Sequence, residues 1–124
     1  MAEQALNRFC WNELMTNDAA GSERFYTTLS GWTTRPVPFE GGTYTVFQAD
    51  GQDVGGMMPM TPEWGNIPPH FMSYVAVADV DACARRVTEL GGKVCVPPTD
   101  ISVGRFAVVN DPSGATFSII TLKR

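Results

Sequence analysis

Residues 72–93, MSYVAVADVDACARRVTELGGK, repeat residues 11–32, WNELMTNDAAGSERFYTTLSGW, at a constant offset of 61 with no gap. Asp18 falls on Asp79, Arg24 on Arg85, Thr27 on Thr88, Leu29 on Leu90 and Gly31 on Gly92. The register continues to Pro36 on Pro97 and Asp50 on Asp111. Within each copy a strand-like run ends at an aspartate suited to cap a helix, because its carboxylate accepts from the free amides of the first turn. Each helix then stops at a glycine, the residue that takes the left-handed conformation without steric cost. Two caps and two stops at matching positions mean one supersecondary unit used twice.

The chain reads in the same terms throughout. Residues 1–7 are expected to be a loose arm. Phe9 to Thr16 is the first strand and Ala19 to Ser30 the first helix, with Ser22, Phe25, Tyr26 and Leu29 at the spacing of one buried face. Thr33 to Pro38 is short and extended, and its two prolines suit a sheet edge. Thr43 to Ala49 and Gln52 to Met58 flank the hairpin signal Asp50-Gly51. The Pro/Gly-bearing segment 61–69, TPEWGNIPP, connects the halves. In the second half, Met72 to Ala78 is a strand. Val80 to Leu90 is a helix with Val80, Cys83, Ala84, Val87 and Leu90 inward. Lys93 to Val96 is a short strand ended by Pro97-Pro98. Arg105 to Val109 and Thr116 to Leu122 flank the turn Asp111-Pro112-Ser113-Gly114. The prediction is an α+β domain of two βαβββ modules, residues 8–60 and 70–122, within a single domain 1–124.

Composition narrows the function classes. At 124 residues, 44% hydrophobic and 18% charged, the chain has globular values and enough length for one domain. No apolar run reaches the ~18 residues of a membrane span, and the first residues lack the basic-then-apolar profile of a secretory signal. A net charge of −4 excludes the concentrated basic surface that nucleic acid requires. The three cysteines, Cys10, Cys83 and Cys95, form no CxxC and lie in apolar stretches, so buried inert thiols in a reducing cytoplasm are expected. Gly41-Gly42 and Gly55-Gly56 precede no helix start and are not phosphate loops. Neither a GxSxG elbow nor a cysteine–histidine pair is evident.

Strand alternation sorts the chemistry-bearing side chains into faces. Val75 and Val77 suit the side covered by a helix, which leaves Trp11, Glu13, Met15, Met72 and Tyr74 for the other face. Aromatics, methionines and one carboxylate on a face without a helix look like a ligand pocket. Two readings stand for Glu13: a base or a partner for a cationic ligand, or a structural ion pair with Arg105 on the last hairpin. Trp11, Met72 and Tyr74 either stack on a planar or cationic ligand or pack a core. Met57, Met58 and Met60 form an adaptable apolar strip or plain core. Trp64 in the connector is a rim residue, a linker residue or a dimer contact.

The residues Asp18, Phe25, Tyr26, Leu29, Gly31 and Trp32, then Val80-Asp81-Ala82, Leu90-Gly91-Gly92 and Asp111 to Phe117, resemble the vicinal oxygen chelate superfamily. That group holds glyoxalase I, the bleomycin-resistance proteins and the extradiol dioxygenases, and the resemblance runs from Phe9 to Leu122. It implies a curved mixed sheet with a cleft and the helices outside. In the metal-dependent members one divalent ion is held by His and Glu from the first and last strands of each module. Those positions carry over to Trp11, Gly56 or Met57, Met72 and Ser118, none an ordinary hard-metal ligand. The single histidine, His70, lies two residues before the carried-over strand position. A shift of the strand by two would place it on the same face, with Glu13 as a possible second ligand. The expectation is a metal-free, cofactor-free protein that binds a small aromatic or cationic molecule through Trp11, Glu13, Met15, Met57, Met72, Tyr74, Arg105 and Ser118. The alternative is an enzyme of the same superfamily, lactoylglutathione lyase-like or dioxygenase-like, or one that transfers a proton without a metal through Glu13. The resemblance also implies a homodimer.

Overall fold

A computed structural model describes residues 5–39, 42–62 and 65–123; Trp64 and Gly41 lie outside the described residues. Two compact units emerge, Trp11–Met72 and residues 73–123 together with 5–10. The boundaries run Arg8–Thr16 (β1), Ala19–Ser30 (α1), Thr33–Phe39 (β2), Gly42–Ala49 (β3) and Gln52–Pro59 (β4). The second series is His70–Ala76 (β5), Val80–Glu89 (α2), Lys93–Ile101 (β6), Gly104–Asn110 (β7) and Thr116–Leu122 (β8). Each module is βαβββ, and the α+β class holds. In the first the strand order is β2-β3-β4-β1, in the second β5-β8-β7-β6.

The modules share one pairing logic. The strand before the helix runs parallel to the last strand of its module, β1 with β4 and β5 with β8. The other pairs are antiparallel. A parallel pair needs a crossover between its strands, and the helix supplies the covering layer. Leu14, Phe47 and Met57 are buried under α1 with Ala19, Tyr26 and Trp32. Val77, Val80, Ala84, Ala107, Val109 and Ile119 form the corresponding core at α2.

The helix starts follow the sequence closely. Asp18 accepts from the Gly21 amide at 3.0 Å and Asp79 from the Ala82 amide at 3.1 Å. Gly21 leaves room for its cap, since a Cβ there would collide with the Asp18 carboxylate. Gly31 ends α1 at φ +70°. The second stop differs: the left-handed residue is Gly91, at φ +92°, and not Gly92. The Gly91 and Gly92 amides bond back to Thr88 and Val87 carbonyls, so α2 closes two residues short of the α1 pattern. Asp50 and Gly51 both adopt positive φ, as a tight hairpin with right-handed strand twist requires.

Several expectations are corrected. Phe25 and Leu29 are 57% and 68% exposed. The face of α1 turned to the sheet is the one with Ala19, Ser22 and Tyr26. A bond between Thr16 Oγ1 and Ser22 Oγ (2.9 Å) pins the helix start, and Thr34 Oγ1 donates to Glu23 (3.2 Å) further along, which together set this rotation. Leu90 is exposed because α2 has ended before it. β5 begins and ends two residues earlier than expected. Pro97 and Pro98 do not stop β6, whose pairing with β7 shifts register on both sides of Val96 and so absorbs them. Cys10 and Cys95 are exposed, not buried. Asn7 is tied down through its amide to the Ala76 carbonyl at 2.7 Å, so the arm is anchored there. No described helix is long and apolar enough to cross a membrane.

Replacing Asp18 with Ala is expected to lower stability by ~1 kcal/mol. The check is the urea midpoint at constant m-value, and an unchanged midpoint refutes the capping role.

Candidate functional site

Register decides which side chains share a face. Leu14 is opposite Met57 and both lie beneath α1, so Glu13 and its partner Gly56 point to the other side. Trp11 and Met15 join Glu13 there by alternation, as does Met58, the partner of Met15. On the adjacent strand, Thr45 pairs with Met57 and Val46 with Gly56, so Tyr44 and Val46 also face this side, open only in the sense that α1 covers the other. Glu13 is only 6% exposed, and Met15 and Val46 are buried. Trp11 and Tyr44 are half-buried, and the Trp11 indole N–H donates to the Tyr44 hydroxyl at 2.8 Å.

Met57 therefore belongs to the helix-packed core and not to the open face, and Gly56 is the residue that matches the carried-over ligand position. The hairpins of the two modules differ by one residue: Gly56 partners Glu13, whereas Ser118 partners Tyr74. Constant sequence offset would have placed Ser118 on Met57.

In the second unit Tyr74 and Ser118 face away from the helix core, because Val75 and Ile119 belong to it. Met72 shares their side of β5 and is buried. Ser118 is fully buried, and its hydroxyl has no hydrogen-bond partner among the described residues. Arg105 is corrected more strongly. It alternates with Ala107 and Val109, on the helix side. Its guanidinium makes a two-pronged contact with Asp81 in the first turn of α2 (2.9 and 3.1 Å) and a third bond to Asp100 on β6 (3.0 Å). Arg105 thus ties β7 to α2 and β6. The bond from Arg105, more than the neighbouring charges of Arg105 and Arg85, holds Asp81 below the usual aspartate range.

The donor chemistry at the carried-over positions does not fit a divalent ion. Trp11 offers an indole N–H, Gly56 no side chain, Met72 a thioether and Ser118 a neutral hydroxyl, where such sites draw on His, Asp and Glu. His70 opens β5, and its Nδ1 donates to the Pro68 carbonyl at 2.9 Å. Among the described residues no three His, Cys, Asp or Glu side chains cluster as ligands.

Tyr44 is the residue that sequence reasoning missed. Alternation along Thr43–Ala49 marks it as sharing a side with Val46, but only the β3–β4 register shows that this is the side of Glu13.

Comparison with known proteins follows the same fold. Residues 6–119 match the model of the Glyoxalase/Bleomycin resistance protein/Dioxygenase superfamily. The chain is 41% identical over 112 residues to "Putative glyoxylase CFP32" of Mycobacterium bovis, covering 89% of this chain and 42% of that protein. It is 37% identical over 123 residues to anthracycline biosynthesis protein DnrV of Streptomyces peucetius, covering 88% and 45%. The chain thus spans less than half the length of these relatives. Among solved structures, methylmalonyl-CoA epimerase from Mycobacterium tuberculosis superposes with a TM-score of 0.69 at 11% identity, covering 100% of this chain and 93% of that one. A Streptomyces coelicolor methylmalonyl-CoA epimerase gives 0.66 at 18%, covering 95% and 96%. At these identities the structures speak to fold alone.

Two stability outcomes follow from the second unit. Because the folded pKa of Asp81 is depressed, its ionised pair with Arg105 stabilises the fold above the unfolded value of about 3.9. That contribution is lost as pH falls through the lower folded value. Urea midpoints between pH 2 and 6 should show a shallower acid slope in Asp81→Asn, and an unchanged slope would count against the pair. Ser118→Ala should be neutral or stabilising by up to about 1 kcal/mol, since it removes a buried hydroxyl with no partner among the described residues. A clear loss in the same assay would reveal a partner for that hydroxyl.

Proposed function

The chain belongs to the Glyoxalase/Bleomycin resistance protein/Dioxygenase superfamily, and from that premise we propose that this domain binds a compact aromatic or cationic molecule, without a metal, on the open face of residues 11–72. The carrying observation is the row Trp11, Glu13, Met15 beside Gly56. A nearly buried carboxylate stands between a half-exposed indole and a thioether, at a place where the neighbouring strand has no side chain. A carboxylate at this position can accept a charge-assisted hydrogen bond from a cationic group. The indole adds a ring face for stacking or for a cation. The relatives named for anthracycline biosynthesis support a flat, fused-ring ligand. The proposal includes a homodimer, which light scattering of the purified protein tests, and metal independence, which elemental analysis tests.

An enzymatic reading is favoured by one observation, the name glyoxylase on a relative 41% identical. In it Glu13 acts as a general base toward an acidic C–H of the bound molecule. Turnover of a 2-oxoaldehyde–thiol adduct, lost in Glu13→Gln, would establish that reading over simple binding.

The binding reading is tested with two flat tricyclic probes, cationic proflavine and neutral acridone. Glu13→Gln is expected to weaken proflavine roughly five- to tenfold, the loss of one charge-assisted contact, and to leave acridone unchanged. Equal affinity of both proteins for proflavine removes Glu13 from the site.

A further inference from the structure

Tyr44 is held in an uncommon posture for a strand residue. Side chains on strands stand roughly perpendicular to the sheet. Tyr44 lies on β3, immediately before the Thr45–Met57 pair, while Trp11 lies on β1, with β4 between them. The phenol reaches over β4, where its hydroxyl accepts from the Trp11 indole N–H at 2.8 Å. It crosses above Gly56: a Cβ built there would collide with the Tyr44 hydroxyl and Cζ and stand 2.6 Å from Cε1. Three atoms of the phenol therefore sit at the height of a Cβ, low over the sheet. The residue is only half-buried, so part of the ring stays accessible over β4. Glycine at 56 is what permits it, and the Trp11 bond holds it.

We infer that Tyr44, laid across Gly56 and tethered to Trp11, is the specificity-determining residue of the open face and selects flat fused-ring ligands over globular ones. The inference rests on the binding function proposed above. The laid-down phenol fills the space that a side chain at 56 would take. Depth is thereby traded for a platform, and a flat ring gains an offset-stacked contact that a cage-shaped molecule cannot match. Trp11 contributes as the tether, and its own ring borders the platform.

The test compares two monocations, planar proflavine and cage-shaped amantadine, by calorimetric titration of the folded protein and three variants. Native protein should prefer proflavine. Tyr44→Ala should cut that preference roughly three- to tenfold, the range of one aromatic stacking contact. Gly56→Ala should do the same although it removes no aromatic group, because it displaces the phenol. Tyr44→Phe, which keeps the ring and loses the tether, should fall between. If the native protein binds both cations equally, or if the preference survives in Tyr44→Ala, the inference is wrong while ligand binding stands. If it binds neither, the binding function and the inference fall together. Should Gly56→Ala not fold, as judged by circular dichroism, Tyr44→Ala decides alone.

Discussion

The parallel pairing of each module's first and last strands is the constraint on which the other features depend. It forces a crossover, places the helix on one side, and fixes by register which residues lie beneath that helix. Leu14 opposite Met57 and Val75 opposite Ile119 are the equivalent pairs. A shift of one residue in either would carry Glu13 under α1, or Ser118 under α2, and bring core residues to the open side. The open face is therefore as strongly specified as the core, although the interactions that specify it are all on the opposite side.

Much of this was legible in the residues. The Asp18 and Asp79 caps, the start of each helix, the Asp50-Gly51 hairpin and the βαβββ order all depend on interactions within a few positions, and local chemistry gives them directly. The failures were of another kind. Phe25 and Leu29 lie at apolar spacing, yet the rotation of α1 is set by the Thr16–Ser22 contact and the Thr34–Glu23 bond. Alternation alone places Met57 and Arg105 on the wrong face, because the β-hairpins differ in length by one residue and strand pairing decides parity. Pro97 and Pro98 read as a stop, but bulges let an edge strand continue through them. The hydrogen bond between Trp11 and Tyr44, 33 positions apart, has no local signature at all.

The duplicated framework carries two different open faces. Glu13 beside Gly56 in the first module corresponds to Tyr74 beside Ser118 in the second, and Met15 corresponds to Ala76. Caps and core pairs are retained between the modules where the chemistry of the face away from the helix has diverged, as expected when folding depends on the helix side and recognition on the other.

The outermost strands have a further consequence. Each module ends its sheet in a strand with two prolines, Pro36 and Pro38 in β2, Pro97 and Pro98 in β6. A proline has no amide to offer an incoming chain, and the bulged β6 presents an uneven hydrogen-bonding rim. These borders are poor templates for strand addition. Extended assemblies that grow by adding sheet to sheet are thereby discouraged at both outer rims.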